Sequence, residues 1–250
     1  MRLTTDVKTS LAFATRLPLL HATPPDGAAI ARASWALPLV GGLVGAFGAG
    51  VYAVAHELGL HGFIAATLAL AATVLASGGL HEDGLADTAD GFGGGATVER
   101  KLEIMRDSRI GTYGVAALIL SFMLRAGALA SLSDPTLVAA ALIAAHAAAR
   151  AALPVFMFLV PPARRDGLSA AAGKPPIASA AVAALLGMLA LGFGLGLFGG
   201  GIALVLLMVG GGLLAWLTLR QIGGQTGDVL GALEQLCEVL ILLTIASSWL

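Results

Sequence analysis

The sequence predicts an all-α, polytopic integral-membrane helical bundle of about seven transmembrane helices. Three observations carry that prediction. The 250-residue chain is 58% hydrophobic and only 12% charged, whereas soluble domains carry about 25% charged residues. Seven stretches approach the roughly 20 mostly apolar residues that a spanning helix needs. They lie at about 35–55, 62–79, 113–132, 136–160, 177–198, 201–219 and 229–249. Finally, the basic residues fall on alternate connections between these stretches.

Taken in order, the first segment is "MRLTTDVKTSLAFATRLPLLHATPPDG". It lacks the long apolar core and small-residue cleavage site of a signal peptide, and it reads as a short amphipathic segment on the membrane surface. The spans that follow are rich in Gly and Ala, which lets helix backbones approach closely in lipid. The fifth and sixth are separated only by Gly199–Gly201. A re-entrant hairpin there would leave six spans. Nothing divides the chain, so residues 1–250 read as one membrane domain with polar segments at about 78–112, 161–176 and 220–228. The lone Cys237 excludes an intrachain disulfide and reads as a small buried hydrophobe.

Seven spans place Arg2, Lys8, Arg16, Arg32, Arg100, Lys101, Arg106, Arg109, Arg164, Arg165, Lys174 and Arg220 on one side. That is 12 of the 14 Lys and Arg residues; Arg125 and Arg150 lie inside spans. The positive-inside rule makes the charged side cytoplasmic, and the polar segments fall on that same face. A net charge of −1 suggests no nucleic-acid surface. The bilayer is the expected partner, and a homo-oligomer is compatible with the small-residue helices.

Four carboxylates, Glu82, Asp83, Asp87 and Asp90, fall within nine residues of "GGLHEDGLADTADGFGGG". On a helix, Asp83, Asp87 and Asp90 share a face at i, i+4, i+7, and Glu82 points elsewhere unless the backbone bends at Gly84. Gly84 and Gly91 argue for such a break or bend. Unpaired carboxylates this close repel one another. A divalent cation relieves the conflict, and an all-oxygen set suits Mg²⁺ or Mn²⁺. A solvated acidic loop is the plainer alternative. His81 adjoins the set, and general base, substrate contact and plain structure stay open for it.

The next stretch, "ATVERKLEIMRDSRIGTYG", starts with Thr97 as a helix cap. Val98, Leu102 and Met105 form one apolar stripe, as for a helix along the membrane surface. Arg100, Lys101, Arg106 and Arg109 bring basic groups near the acids, a combination suited to a diphosphate. Asp107, Ser108 and Tyr113 join these as candidate substrate contacts. Ordinary positive-inside decoration, with local pairs to Glu99, Glu103 and Asp107, is the alternative. In "GGQTGDVLGALEQLCEVL", Asp228 opens the last span, and Glu234 and Glu238 share a face within it. Intramembrane carboxylates are costly and point to function or to pairing between spans. Arg150 shares a face with His146 at i, i+4 and, like Arg125, offers such a partner.

Five stretches together resemble the integral-membrane cobalamin synthases, the adenosylcobinamide-GDP ribazoletransferases. They are "FATRLP" (Phe13–Pro18), "LPLVGGLVG" (Leu37–Gly45), "GGLHEDGLADTADGFGGG" (Gly78–Gly95), "RKLEIMRDSRIGTYG" (Arg100–Gly114) and "GGQTGDVLGALEQLCE" (Gly223–Glu238). The resemblance implies a Mg²⁺-dependent phosphotransferase in the bacterial cytoplasmic membrane. It joins adenosylcobinamide-GDP to α-ribazole or its 5′-phosphate, releasing GMP and adenosylcobalamin or its 5′-phosphate, late in vitamin B12 biosynthesis. On that reading Asp83, Asp87, Asp90 and His81 are catalytic. Arg100, Lys101, Arg106, Asp107, Ser108, Arg109, Tyr113 and Arg150 bind substrate. Glu82, Asp83, Asp87, Asp90 and Asp228 are the metal-ligand candidates.

Two rivals remain from the residues alone. "DTADG" at Asp87–Gly91 echoes the start of the CDP-alcohol phosphatidyltransferase motif, but Phe92–Gly95 replaces the expected Ala-Arg pair. A cation-coupled transporter would use Asp228, Glu234 and Glu238. An intramembrane aspartyl protease fails because Gln225 disrupts the Gly-x-Gly-Asp pattern.

Overall fold

The computed structural model describes residues 3–16, 26–132 and 134–247, most of them in helices. Leu17 and Pro18 of the first motif and residues 248 and 249 of the last expected span lie outside the described residues. Helix α1 (Leu3–Ala14) is followed by α2 (Gly27–Ala33), a short 3₁₀ turn (Ser34–Ala36) and α3 (Leu37–Glu57). Then come α4 (Gly62–Ser77), α5 (Leu80–Gly94), α6 (Val98–Ile104), α7 (Thr112–Ser131) and α8 (Pro135–Leu159). Short α9 (Leu168–Ala172), long α10 (Ile177–Ile222) and α11 (Gly227–Ile245) complete the chain.

Every expected span falls on a helix: α3, α4, α7, α8, both halves of α10, and α11. By length and hydropathy, four continuous helical stretches among the described residues qualify to cross a membrane, or five if the bent α4–α5 pair is counted as one span. The difference from seven has three sources. Helix α4 has only 16 residues, α10 contains two expected spans, and α11 carries Asp228, Glu234 and Glu238.

The 46 residues of α10 are not one rod. Gly196 breaks the helix at φ 71°, ψ 173°, a conformation open to glycine. A straight helix would separate Leu191 from Gly200 by about 13.5 Å. Here a Cβ on Gly200 would lie 3.0 Å from the Leu191 carbonyl carbon, so the chain folds back on itself. The reversal expected at Gly199–Gly201 thus occurs three residues earlier. Both arms pack beside α8 and line an apolar cavity of about 340 Å³ containing Gly187 from one arm and Met208 from the other.

Small residues set the packing. Gly41 and Gly45 of "LPLVGGLVG" lie one helical turn apart, pressed against the α8 backbone at His146 and Leu142. A Cβ at Gly45 would meet the Leu142 carbonyl at 2.5 Å, too close without parting the helices. The core around this seam is mostly Ala and Leu, including Ala65, Ala69, Leu129, Ala141 and Leu142. Helix α1 is docked rather than loose: Trp35 Nε1 donates to buried Asp6 Oδ2 at 3.0 Å. Cys237 is free and buried.

Of the expected polar loops, 78–112 is largely helical, whereas 161–176 and 220–228 are mostly or partly irregular. Segment 78–112 contains α5 and α6, and 161–176 contains α9. The latter segment is tied to the α10–α11 turn by paired backbone bonds. Gln225 N donates to Pro161 O, and Ala163 N donates to Gln225 O, both at 2.8 Å.

Candidate active site

The site is built on α5, and two glycines explain its direction. Gly78 and Gly79 both adopt left-handed conformations, φ 72° and 69°. They turn the chain by 92° between α4 and α5. Helix α5 therefore lies across the end of α4 instead of extending it, carrying its acids with it.

Helix α5 does not break at Gly84 or Gly91, as the sequence suggests; it runs unbroken from Leu80 to Gly94. The glycines serve packing instead. A Cβ on Gly84 would lie 2.7 Å from the Asp228 carbonyl oxygen and 3.0 Å from Gly231 Cα. The backbones of α5 and α11 therefore touch at this point. That contact sets Asp228, at the start of α11, beside Asp83 and Asp87. Gly91 likewise admits Met105, at the end of α6.

Because α5 is continuous, consecutive acids diverge. Asp83 is exposed and Asp87 half-buried on one side, where both line a cavity of about 840 Å³. Glu82 also borders this cavity. Its carboxylate, however, accepts from Gln235 Nε2 at 3.1 Å and lies 3.7 Å from Arg125 Nη1. Asp90 is buried, and both its oxygens accept backbone N–H groups at the start of α7, from Gly111 at 2.6 Å and Gly114 at 2.9 Å. It caps the neighbouring helix, a role that the i, i+4, i+7 spacing conceals.

Neither Asp83 nor Asp87 has a cationic partner within ion-pair distance among the described residues. The consequence is electrostatic. Burial raises the pKa of Asp87 to about 7, with further contributions from Asp83, Asp228 and Asp90. Asp228 is also raised by burial, although Arg164 at 3.6 Å opposes the rise. A cluster of oxygen donors this crowded fits a hard divalent cation.

The basic residues divide. Arg106 lines the cavity with Ser108 and Asp107, and its Nη2 reaches both oxygens of Asp166 at 2.7 Å. Arg109 holds Asp107 at 2.6 Å, lowering that carboxyl to about 2. Arg100 pairs with Glu103 at 2.7 Å, and Lys101 donates to Gln221. Thus Arg100 and Arg109 show the local pairing of the plainer reading, whereas Arg106 faces the acids. Tyr113 lays its ring over Gly93 of α5. Thr97 caps α6 as expected, accepting from Arg100 N. In the anticipated stripe, Met105 is buried but Val98 is exposed.

Two cations beside the acids were visible in the sequence only as part of the charge bias. Arg16 follows α1, lies over Gly78 and lines the large cavity. Arg164 reaches Asp228 from the loop before α9. Neither has spacing that links it to α5; tertiary contacts alone bring them there.

Arg150, expected at the substrate, instead belongs to a buried network behind α5, and His81 joins that network while also lining a smaller cavity beside Asp83. Arg150 contacts Glu234 at 2.5 Å and Glu238 at 3.2 Å. Arg125 contacts Glu238 at 2.8 Å, and His146 contacts it too. His81 Nδ1 lies 3.5 Å from Glu234 and 3.4 Å from Arg150. His146, Glu234 and Glu238 place ligand atoms within 4.8 Å of one another, but two guanidinium groups already fill that space with positive charge. Buried charges persist when paired in this way.

Residues 6–246 match the model of the cobalamin-5-phosphate synthase family. The adenosylcobinamide-GDP ribazoletransferase of Bradyrhizobium diazoefficiens is 59% identical over 242 residues, covering 97% of this chain and 93% of its own. The protein of the same name from Mesorhizobium japonicum is 52% identical, covering 95% and 91%. That from Azorhizobium caulinodans is 46% identical, covering 97% and 95%. No solved structure matches. With matches of this length and identity, the chain belongs to the cobalamin-5-phosphate synthase family.

Proposed function

We propose that this protein is an adenosylcobinamide-GDP ribazoletransferase. It joins α-ribazole, or its 5′-phosphate, to adenosylcobinamide-GDP and releases GMP. The observation that carries the chemical assignment is the unpaired pair Asp83 and Asp87 in the wall of a cavity that also holds Arg16, Arg106 and Ser108. A diphosphate supplies the negative charge that the arginines attract. The carboxylates supply what phosphoryl transfer needs beside it.

A ribose hydroxyl oxygen bonds to the phosphorus attached to the cobinamide. The bond from that phosphorus to the bridging oxygen breaks, and GMP leaves with that oxygen. The hydroxyl proton passes to a carboxylate of the Asp83–Asp87 pair. His81 is the weaker candidate, since its Nδ1 faces Arg150 and Glu234. Asp83, Asp87 and Asp228 would hold Mg²⁺. Bound there, the ion would neutralise the diphosphate and the charge developing on the leaving group. Arg106 and Arg16 orient the donor.

The site lies on the cytoplasmic face of the bacterial inner membrane. Its support is the charge bias together with contacts among the polar segments: Arg106 with Asp166, Lys101 with Gln221, and Arg164 with Asp228. Neither rival is favoured. The relatives carry the ribazoletransferase name, and Glu234 and Glu238 are occupied by arginines instead of lining an open path. The decisive test is GMP release by the purified protein from adenosylcobinamide-GDP and α-ribazole, with and without Mg²⁺. Turnover only with all three components is expected. A CDP-alcohol donor turning over instead would reject the reading.

A further inference from the structure

A second cavity opens on the opposite side of Asp83. Its volume is about 260 Å³. Phe13, Leu80 and Asp83 line both cavities, so they form a partition between them. The two chambers differ in chemistry. The large one is walled by Arg16, Arg106, Asp107 and Ser108. The small one is walled mainly by Ile30, Ala31, Leu37, Leu153 and Met157, from α2, α3 and α8. Its charged and imidazole groups, Asp83, Asp228, Arg164 and His81, gather where α5 meets α11, and Ser34 and Ser169 add two hydroxyls to the wall. An apolar chamber with a few convergent polar groups is how a small-molecule site is built.

Resting on the function proposed above, we infer that the small chamber is the acceptor subsite and takes a planar, largely apolar heteroaromatic riboside. The donor is too large for it, and the diphosphate finds its cations in the other chamber. The aromatic base of the acceptor fits the apolar end among Ile30, Ala31, Leu153 and Met157. Its ribose then lies at the polar end, with a hydroxyl at Asp83. The donor phosphorus approaches that carboxylate from the large chamber. Asp83 is the carboxylate that both substrates share, and the two substrates enter from separate sides. Gly84 and Gly231 let α5 and α11 close the floor of the small chamber.

Steady-state kinetics on the purified protein, varying one substrate at a time, test this. Ala31→Leu narrows the apolar end. It should raise KM for α-ribazole about 10-fold or more, as expected for an added bulky group in an apolar pocket, and leave KM for adenosylcobinamide-GDP within about twofold. Met157→Ala widens the same end and should admit a bulkier naphthimidazole riboside that the parent protein uses poorly. An unchanged α-ribazole KM in both variants, or a rise only in the donor KM, overturns the assignment. An azido-benzimidazole riboside, photolysed on the unaltered protein, removes dependence on variant folding. Labelling at Ile30, Ala31, Leu153 or Met157 supports the subsite; labelling confined to the Arg106–Ser108 wall rejects it. Failure of the parent protein to release GMP would reject the proposed function instead, so the two outcomes are distinguishable.

Discussion

Glu82 and Asp83 are neighbours in sequence, yet they belong to opposite electrostatic regimes. Glu82 joins the interior network of Glu234, Glu238, Arg125, Arg150 and His146, in which carboxylates meet guanidinium groups within 2.5–3.7 Å. Asp83 stands with Asp87 and Asp228, where among the described residues Arg164 alone comes within ion-pair distance, 3.6 Å from Asp228. The interior set is balanced by its own chain. The cavity set is not, and it awaits charge from outside. Carboxylates with fixed partners hold helices together, whereas those without partners are available for a cation and a substrate.

The largest effect should come from unbalancing the interior set. Arg150→Ala leaves Glu234 without its closest cation. Removal of one member of a buried pair costs about 3–5 kcal/mol. Thermal unfolding in detergent should show a large loss, with little folded protein recovered. A double change that removes charge from both sides, Arg125→Met with Glu238→Gln, should recover part of the loss relative to either single change. An Arg150→Ala protein of parental stability would break the comparison at its first half.

The cavity set should respond oppositely. Asp83→Asn and Asp87→Asn should each lower kcat at least ~10²-fold, about 2.7 kcal/mol of barrier, while the protein stays folded, because removing a carboxylate relieves repulsion. Raised Mg²⁺ should partly restore a variant that has lost only metal affinity. Asp90→Asn separates the two behaviours. Both Asp90 oxygens take backbone N–H groups of α7, and an Asn offers only one acceptor oxygen. Its loss should appear chiefly in stability, at about 1–3 kcal/mol. Normal turnover by both Asp83→Asn and Asp87→Asn would remove the cluster from the chemistry.

These contrasts also mark how far sequence can be read. The helices, the reversal near Gly199 and the common face of Asp83 and Asp87 follow from local periodicity, and all appear in the fold. Glycine between acids signals a bend locally, whereas the use of Gly84 here is a contact with Asp228 and Gly231, more than 140 residues away. Asp90 shares the spacing of its neighbours, and only the position of α7 reveals it as a cap. Arg16 and Arg164 are invisible for the same reason: no period connects them to α5. Charge alone points Arg150 to the substrate, but the spacing of Glu234 and Glu238 already offers it partners inside the bundle.

A smaller effect should distinguish the basic residues. Arg106 lines the cavity but is half-satisfied by Asp166. Arg106→Ala should raise KM for adenosylcobinamide-GDP roughly 10-fold, about 1.4 kcal/mol. Lys should rescue only in part, because it lacks the planar fork. Arg100→Ala, which loses only an exposed pair with Glu103, should change KM within about twofold, since such pairs contribute about 0–1 kcal/mol. Equal effects from the two substitutions would make Arg106 ordinary surface charge.

The smallest effect is a pH dependence confined to the cavity set. The Asp87 carboxyl has an ordinary value of 3.8, and in the fold it is raised to about 7, first by burial and then by Asp83, Asp228 and Asp90. A raised acid binds its proton more tightly in the folded protein than in the unfolded chain. Its contribution is therefore fully present below about pH 4 and is lost as pH rises towards 7. Asp87 is only half-buried, so solvent screens the repulsion and the effect should stay below about 1 kcal/mol. With chelator present, the midpoint of thermal unfolding in detergent should fall between pH 5 and pH 8, by more in the parent protein than in Asp87→Asn. Added Mg²⁺ should offset the fall in the parent at pH 8, where the carboxylates are ionised and free to take the ion, and should do little at pH 5, where Asp87 holds a proton. Parallel pH profiles for the two proteins, unaltered by Mg²⁺, would mean that the crowding at Asp87 is relieved by water alone, and the contrast with the interior set would lose its electrostatic basis.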